Sequence, residues 1–253
     1  MTVKELYKRL EARIPRELAE PWDNDGLMCC ADELQDVNKI IITLDVTEDV
    51  VDYAIEIGAD LIISHHPLIF KPLTAIIEDN HIARKVIKLI ENGVTVMSFH
   101  TRLDKVGGGV NDYLCQVLGI EDVSPFGEGD LGRIGYIPEE RLLDDFALYV
   151  KECLDADTVR FSDALNPVRH VAVVGGDGKS YVKDAIALGA DTYVSGRIGY
   201  NVMEEAAEMG INLIEAGHYF TEQPITEFLR DLIYSFDPTV NIEIVSSNLI
   251  KSI

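Results

Sequence analysis

The stretch LIISHHP, residues 61–67, decides how the chain is interpreted, because an apolar run ends there in two adjacent histidines and a proline. Leu61-Ile62-Ile63 predicts a buried parallel strand. Proline fixes its own φ and disfavours helix at the residue before it, so we expect the backbone to turn at Pro67. Both imidazoles can then reach one site at the strand end, and neutral imidazole is the commonest metal ligand. The competing interpretation is one buried, hydrogen-bonded histidine and one exposed histidine.

Apolar runs and amphipathic segments alternate on both sides of this stretch, which is typical of α/β layers. Before it, residues 39–45 predict a buried strand, and residues 48–57 predict a helix capped by Thr47 and ended by Gly58. An amphipathic helix is predicted over residues 3–13. After the stretch we predict, in chain order, a helix at 81–92, a strand at 94–99, a helix at 110–118, a strand at 133–137, a helix at 139–153, and strands at 157–161 and 169–174.

The chain contains an internal repeat at a shift of 131 residues. Residues 50–64 align without a gap on residues 181–195 and share seven identities in fifteen positions, among them Ala-Ile and Gly-Ala-Asp in phase. A Gly-, Pro- and acid-rich segment at 121–132 indicates a boundary between the halves. We therefore predict two similar α/β domains, residues 1–125 and 126–239, with residues 240–253 returning to the first.

A histidine and a carboxylate follow the next predicted strand of each half. Asp104 comes four residues after His100, and Glu222 comes four residues after His218. Residues i and i+4 of a helix share one face, so each pair can present both groups to one site. With the histidines of residues 61–67 these are more ligands than one tetrahedral zinc needs, and about enough for two metal ions with shared ligands. The plain alternatives are a hydrogen-bonded core histidine at 218 and a capping or surface carboxylate at 222.

The composition excludes some classes of function. The chain has 22 basic and 44 acidic residues, a formal net charge of −22, which disfavours direct binding to nucleic acid or to an anionic membrane. We predict no signal peptide and no membrane span, because no apolar run approaches the roughly 18 residues needed. The four cysteines form no C-x-x-C pair and are typical of reduced thiols in a cytoplasmic protein.

Several other motifs permit plainer interpretations. The turn-rich stretch 21–27 holds acidic residues but lacks the glutamate of a calcium loop, since position 34 is leucine, and we interpret it as a turn anchored by a packed Trp22. His81 and His170 are interpreted as ordinary histidines. Glu215 is either a support for a metal ligand or a solvated carboxylate.

Two glycine clusters remain. Residues 175–180 resemble the end of a phosphate-binding P-loop, but the glycine that motif requires is replaced by Val173. A backbone nest for phosphate and a tight strand-to-helix turn both remain open for this segment, and for residues 107–109.

Five short motifs are distributed along the chain. They are Trp22-Asp23-x-x-Gly26, Leu44-Asp45-x-Thr47, Ser64-His65-His66-Pro67, His100-Thr101-x-x-Asp104 and Gly217-His218-x-x-Thr221-Glu222. Together they resemble the Nif-three-like dinuclear-metal family (Ngg-one-interacting factor three), whose bacterial members are known as GTP cyclohydrolase 1 type 2 homologues. The resemblance covers nearly the whole chain and corresponds to a short form without the inserted middle domain of longer members.

The resemblance implies two similar α/β domains with a two-metal site in the cleft between them, and a homohexameric ring. The ions are expected to be zinc, manganese or iron, because the ligand set mixes nitrogen and oxygen. One departure is visible, because many members have an acidic residue and then a histidine where this chain has Arg197 and Asn201. The implied metal ligands are His65, His66, Asp104, His218 and Glu222.

We expect a dinuclear-metal-dependent hydrolase that acts on GTP or another nucleotide. In this hypothesis His100 acts as a base beside the ligands, and Arg197, which the repeat sets opposite the histidine pair, holds an anionic group. The alternative is a metal-binding hexameric scaffold or regulatory protein without catalytic turnover.

Overall fold

The computed structural model describes residues 1–252, in which helices and strands alternate. The helices are α1 (Val3–Arg13), α2 (Glu48–Glu56), α3 (His81–Glu91), α4 (Thr101–Lys105), α5 (Val110–Val117), α6 (Leu143–Cys153), α7 (Val182–Ala187), α8 (Tyr200–Glu208), α9 (His218–Glu222) and α10 (Ile225–Phe236). The strands are β1 (Gly26–Cys29), β2 (Lys39–Thr43), β3 (Leu61–Ser64), β4 (Thr95–Ser98), β5 (Glu121–Phe126), β6 (Gly132–Arg141), β7 (Arg160–Ser162), β8 (Val168–Asp177), β9 (Thr192–Arg197), β10 (Asn212–Glu215) and β11 (Asn241–Ile244). Short 3₁₀ turns occupy Arg16–Leu18, Glu128–Asp130 and Lys179–Tyr181.

The chain divides into two compact units. Residues 1–106 and 226–249 form the first, and residues 107–225 form the body of the second. The sequence predicts a boundary after residue 125 and a return of the chain to the first unit at residue 240. The boundary falls earlier because β5 pairs with β6 and because α5 contributes to the core that contains α6 and β8. The return begins earlier because α10 belongs largely to the first unit, where the Phe236 carbonyl oxygen accepts a hydrogen bond from Arg9.

The first unit is built on a five-stranded sheet in the order β1-β4-β3-β2-β11. β1 is antiparallel to β4, and the remaining neighbours are parallel. Every residue of β3 and β4 is buried, as expected for parallel strands covered on both faces. The predicted cap of α2 is confirmed, since the Thr47 hydroxyl accepts a hydrogen bond from the Val50 amide at 3.2 Å.

The second unit is built on a six-stranded sheet in the order β5-β6-β8-β9-β10-β7. β8, β9 and β10 are parallel to one another, and β5, β6 and β7 are joined by antiparallel pairings. One apolar cluster contains Phe146 and Val150 of α6, and a second contains Tyr193 of β9 and Ala206 of α8. Each cluster takes residues from β8, so this strand carries apolar side chains toward both.

The internal repeat is present in the structure as a repeated topology. In each unit a helix is followed by a glycine with positive φ, at +63° for Gly58 and +77° for Gly189, and then by a buried strand, β3 or β9. The repeated aspartate has the same task in each unit. Asp60 accepts hydrogen bonds from the amides at the start of β2, and Asp191 accepts them from Arg169 and His170 near the start of β8. The prediction of two similar α/β halves is therefore confirmed.

No helix among residues 1–252 combines the length and the apolar character that a bilayer crossing requires.

Candidate metal centre

The first unit carries its histidine pair where β3 ends, as the sequence predicted. His65 is buried and His66 is half-buried. The Ser64 hydroxyl donates to the His66 carbonyl oxygen at 2.8 Å and so fixes the turn that follows the strand. Each ring is held through Nδ1, that of His65 by the carbonyl oxygen of Phe99 at 2.9 Å and that of His66 by Oδ1 of Asp45 at 2.8 Å.

His100 follows β4 and immediately precedes α4. Its Nδ1 lies 2.9 Å from Oδ1 of Asp23, whose other oxygen accepts hydrogen bonds from the amide and the hydroxyl of Thr101 at 3.1 and 2.6 Å. Burial alone would raise the pKa of Asp23, but the hydrogen bonds from His100 and Thr101 lower this pKa to about 2. Asp23 is therefore an anion at neutral pH and holds a proton on Nδ1 of His100.

The three histidines of the first unit form one cluster. The ring centroids of His65 and His66 lie 4.9 Å apart, and the His100 centroid lies 5.4 and 5.7 Å from them. One ring nitrogen of each lies within 4.8 Å of the other two. Because carbonyl and carboxylate oxygens can only accept, a neutral ring at each of these positions carries its proton on Nδ1. Asp104 adds a carboxylate oxygen 3.6 Å from Nε2 of His65, which completes a donor set suited to a divalent metal ion.

A buried ion pair supports this cluster from the side of α4. The Arg102 side chain is fully buried, and its Nε donates to Oδ2 of Asp25 at 2.9 Å. Nη1 of Arg102 donates to the carbonyl oxygen of Ile14 at 3.0 Å, and the same Asp25 oxygen accepts the His100 amide at 3.3 Å. A buried pair of this kind is strongly destabilising to break. The backbone that carries His100 and Asp104 is thereby fixed, and neither Asp25 nor Arg102 was identified from sequence.

The second unit contributes a histidine and a carboxylate on α9. His218 begins this helix, and its Nε2 lies 3.1 Å from Oε2 of Glu222, the residue one turn later. His218 is exposed and Glu222 is buried. Gly176 approaches the carboxylate so closely that a Cβ at this position would collide with Oε1 of Glu222, and its φ of +65° also favours glycine. The predicted one-face arrangement of residues 218 and 222 is therefore observed.

The pairs at 100–104 and 218–222 are not equivalent in register. His100 lies outside its helix as the residue before α4, whereas His218 is the first residue of α9 and Gly217 takes the preceding position. The Phe99 amide donates to the carbonyl oxygen of Ser64, and the Ala216 amide donates to that of Ser195, the serine at the equivalent position of the repeat. Phe99 and Ala216 are therefore equivalent, and the residue equivalent to His100 is Gly217. His218 therefore lies one residue after the position in the repeat that is equivalent to His100.

The glycine turn at residues 175–178 does not provide a phosphate nest. The Gly175 amide donates to Asn111 at 2.8 Å, the Gly176 amide to Thr221 at 3.1 Å and the Gly178 amide to Ser195 at 3.1 Å. These amides are already used by side chains, so the interpretation as a tight strand-to-helix turn holds. At 107–109, the Gly108 amide likewise donates to Asp112 at 2.7 Å.

Glu215 fits neither sequence interpretation. Its carboxylate is buried and accepts hydrogen bonds from the amides of Ile198 and Gly199 at 2.7 and 2.9 Å, and from the Arg160 guanidinium. Burial alone would raise the pKa of Glu215, but these hydrogen bonds lower it. The side chain holds the loop between β9 and α8.

Three candidates remain, namely Arg197, His170 and His81. Arg197 is exposed at the end of β9, where it pairs in register with Asp177. His170 stacks on Tyr136, with centroids 4.3 Å apart, and its Nδ1 faces the Gly189 carbonyl oxygen at 2.9 Å. His81 is exposed at the start of α3. The histidines at 81 and 170 therefore have the ordinary surroundings expected for them.

Trp22 is not the packed anchor that the sequence suggested, because 62% of its surface is exposed. The turn is held instead by the Asp23 carboxylate and by a hydrogen bond from the Asn24 side chain to the Ile69 carbonyl oxygen. The thiols behave as expected, since all four are free, and burial raises the pKa of Cys29 to about 11 and that of Cys115 to about 12. Neutral buried thiols of this kind are poor metal ligands.

Comparison with known proteins identifies relatives along the whole chain. The family model described as Duf34/NIF3 (NGG1p interacting factor 3) matches residues 1–252. A protein of Clostridium perfringens named GTP cyclohydrolase 1 type 2 homolog is 36% identical over 232 residues, which cover 89% of this chain and 88% of the relative.

Solved structures agree with the fold. Staphylococcus aureus protein SA1388 matches with a TM-score of 0.91 and 28% identity, over 100% of this chain and 99% of that one. A Bacillus cereus protein related to NIF3 matches with a TM-score of 0.89 and 26% identity, over 100% and 99% of the two chains.

Proposed function

Because the chain belongs to the Duf34/NIF3 family, we propose that it is a metal-dependent hydrolase with two divalent ions held by five side chains. The observation that carries the proposal is the cluster of three histidines, in which each Nδ1 faces an oxygen acceptor and one ring nitrogen of each residue lies within 4.8 Å of the other two. The proposed ligands are those that the family resemblance implies, His65, His66, Asp104, His218 and Glu222.

The donor set supports metal binding by its chemistry. Metal-ligating histidines usually donate their second ring nitrogen to a carboxylate or a backbone carbonyl, and both kinds of acceptor occur in the first unit. When bound, divalent ions supply Lewis-acid chemistry that polarises a carbonyl or phosphoryl group. They also supply positive charge that a chain of net charge −22 lacks.

His100 is proposed as the base of the reaction. Its Nδ1 is bound by the anionic Asp23, so its Nε2 can take a proton while the carboxylate stabilises the imidazolium that forms. The buried surroundings of Asp23 keep the ring in one orientation. Exposed Arg197 is proposed to hold an anionic group of the substrate.

The proposed substrate is GTP or a related nucleotide. The support is the name shared by bacterial relatives, GTP cyclohydrolase 1 type 2 homolog, and not a guanine pocket visible in the chain. The glycine turn at 175–178 does not support phosphate binding, because its glycine amides already donate hydrogen bonds to side chains. A cyclohydrolase would open the imidazole ring of guanine and release formate.

The test begins with metal content. Protein reconstituted with zinc, manganese or iron should carry close to two ions per chain by elemental analysis. His65→Ala should lose metal and stay folded by circular dichroism, whereas His170→Ala should retain it, because His170 stacks on Tyr136 away from the cluster. Only trace metal in the reconstituted wild type would refute the site.

The second part of the test is turnover. Metal-loaded wild-type protein should release formate from GTP, and His66→Ala should not. Equal release by both proteins would identify a contaminating enzyme. Two bound ions without release from GTP, other nucleotides, phosphodiesters or cyclic amides would favour the metal-binding scaffold over the hydrolase.

A further inference from the structure

Two exposed aromatic rings lie beside the histidine cluster. Trp22 is 62% exposed and Phe70 is 45% exposed, and their ring centroids are 6.1 Å apart with an interplanar angle of 75°. The His100 ring lies 6.3 Å from Trp22 and 6.2 Å from Phe70, at angles of 77° and 88°. The three rings are therefore nearly equidistant and nearly perpendicular to one another. We call Trp22 and Phe70 the aromatic corner.

The aromatic corner is held in place although it is exposed. On one side, Asp23 ties the backbone next to Trp22 to His100 and Thr101. On the other side, Asn24 donates a hydrogen bond to the carbonyl oxygen of Ile69, the residue before Phe70. The two loops are thus bonded to each other and to the segment that carries a histidine of the cluster. Apolar rings fixed in solvent beside a polar cluster indicate binding rather than packing.

We propose that the aromatic corner binds the planar heteroaromatic ring of a substrate and sets it beside the three histidines. A ring lying parallel to one member of the corner presents its edge to the other. Offset stacking and edge-to-face contact are the two arrangements that aromatic rings prefer. The inference rests on the proposed function, because it assigns to the corner the substrate on which the histidine cluster acts.

The size of the corner favours a small ring over a protein partner. Full burial of an aromatic side chain removes roughly 150–250 Å² from solvent, so the exposed parts of Trp22 and Phe70, at 62% and 45%, together offer no more than about 270 Å². A standard protein interface buries about 800 Å² on each partner. The exposed Ile76 and Ile77 belong to the same loop as Phe70 and would enlarge the patch if a second copy of the chain covered it, so the experiment includes that occupant.

The test uses the fluorescence of Trp22, which is the only tryptophan of the chain. Guanosine and GTP should quench its emission to saturation, and inorganic triphosphate, which has no ring, should not. Stacking on a protein aromatic ring is worth about 1–3 kcal/mol per base, so Phe70→Leu should weaken guanosine binding about five- to a hundred-fold. The matched control is Phe161→Leu, because Phe161 is 42% exposed on β7 of the second unit, and its binding should equal that of the wild type.

The titrations are made on metal-loaded and on chelator-treated protein, so that a failure of this inference can be distinguished from a failure of the proposed function. Quenching in the chelator-treated protein supports the corner. Quenching in metal-loaded protein that releases no formate supports the corner and counts against the hydrolase. Binding that Phe70→Leu leaves unchanged overturns the corner even if the metal is bound and GTP is hydrolysed, and so does the absence of quenching in the wild type. The wild type could instead show the emission of a buried indole before any probe is added, with no change on addition of guanosine. That result would show that a second copy covers Trp22, and it would also overturn the inference.

Discussion

Asp45 and Asp23 determine what the histidines of the first unit can do. Asp45 accepts the Nδ1 proton of His66, and Asp23 accepts the Nδ1 proton of His100, so each carboxylate fixes the orientation of one ring. Asp45 is itself held by Ser247, whose hydroxyl donates to Oδ2 at 3.1 Å and accepts the Asp45 amide at 3.0 Å. The C-terminal segment therefore takes part in orienting a candidate ligand.

Substitution of Asp45 should weaken metal binding without unfolding the protein. Asp45→Ala removes the acceptor that fixes the tautomer and the orientation of His66, and partners of this kind are worth about 10- to 100-fold in metal affinity. The measurement is competition with a chromophoric chelator. Asp49→Ala, an exposed carboxylate on α2, should leave the affinity unchanged. Equal affinities for the two variants would contradict a role of Asp45 in positioning His66.

At this scale the ligands were more predictable than their supports. The histidines at 65, 66 and 100 stand out in sequence because they come at the ends of the predicted strands. The partner of His66 lies 21 positions earlier and that of His100 lies 77 positions earlier, and only the sheet order brings them together. A usable signal existed for Asp45, because it closely follows β2, the parallel neighbour of β3, and the carboxyl ends of such strands share one edge. No comparable signal existed for Asp25 and Arg102.

Among the elements, the repeated helix–glycine–aspartate–strand segment was the most predictable. Gly58 and Gly189 both adopt positive φ, and Asp60 and Asp191 both bind the amides at the start of a neighbouring strand. The identical glycines and aspartates of the repeat therefore fix the backbone conformation. The unit boundary was less predictable, because the Gly- and Pro-rich segment after residue 126 connects two paired strands of one sheet, β5 and β6, instead of two units.

The loop between β9 and α8 depends on Glu215, which makes its stability sensitive to pH. Hydrogen bonds from Ile198, Gly199 and Arg160 lower the pKa of Glu215 below its usual value of 4.5, against the effect of burial. A carboxylate with a depressed pKa contributes stability that is fully present above its unfolded-state pKa. That contribution is lost as the pH falls through the depressed value.

Glu215→Gln should therefore destabilise the second unit at pH 7 by about 1–3 kcal/mol, since amides and a guanidinium lose an anionic acceptor. The difference from the wild type, measured by urea unfolding, should shrink as the pH falls from about 4.5 through the depressed pKa of Glu215, below which the folded wild-type carboxyl group is also neutral. Glu204→Gln is the control, because Glu204 is exposed on α8. A pH-independent difference would mean that the charge of Glu215 is unimportant.

For the whole molecule, the division into two α/β halves was predictable from the sequence, and the exposure of large apolar side chains was not. Alternating apolar runs and the repeat sufficed for two α/β halves, because parallel strands covered on both faces need continuous apolar sequence. The exposure of Trp22 could not be inferred, since sequence does not reveal which large rings remain in solvent. The same holds for Leu142 and Leu165, which are 70% and 88% exposed and line one hollow of about 340 Å³ in the second unit.

The exposed Leu165 of the second unit is a candidate for a contact between subunits. Leu165 has a φ of +63°, a conformation that costs a leucine roughly 1–2 kcal/mol, and it is nevertheless almost fully exposed. Strain retained at an exposed apolar side chain points to a contact with another molecule. A homohexamer, which the family resemblance implies, would offer such a contact, and we propose that Leu165 contributes to it.

Light scattering at about 0.15 M salt, where charges more than roughly 8 Å apart are screened, should therefore give six times the chain mass of 28.1 kDa. Each chain carries a net charge of −22, so low ionic strength and removal of metal by a chelator should both lower the mass through mutual repulsion. Leu165→Asp should also lower it, because the change adds a charge to an apolar contact. Leu34→Asp is the matched control, since Leu34 is 71% exposed in the first unit, and its mass should equal that of the wild type. A monomer mass at every salt concentration would rule out the hexamer, and a hexamer unaffected by Leu165→Asp would place the contact elsewhere on the surface.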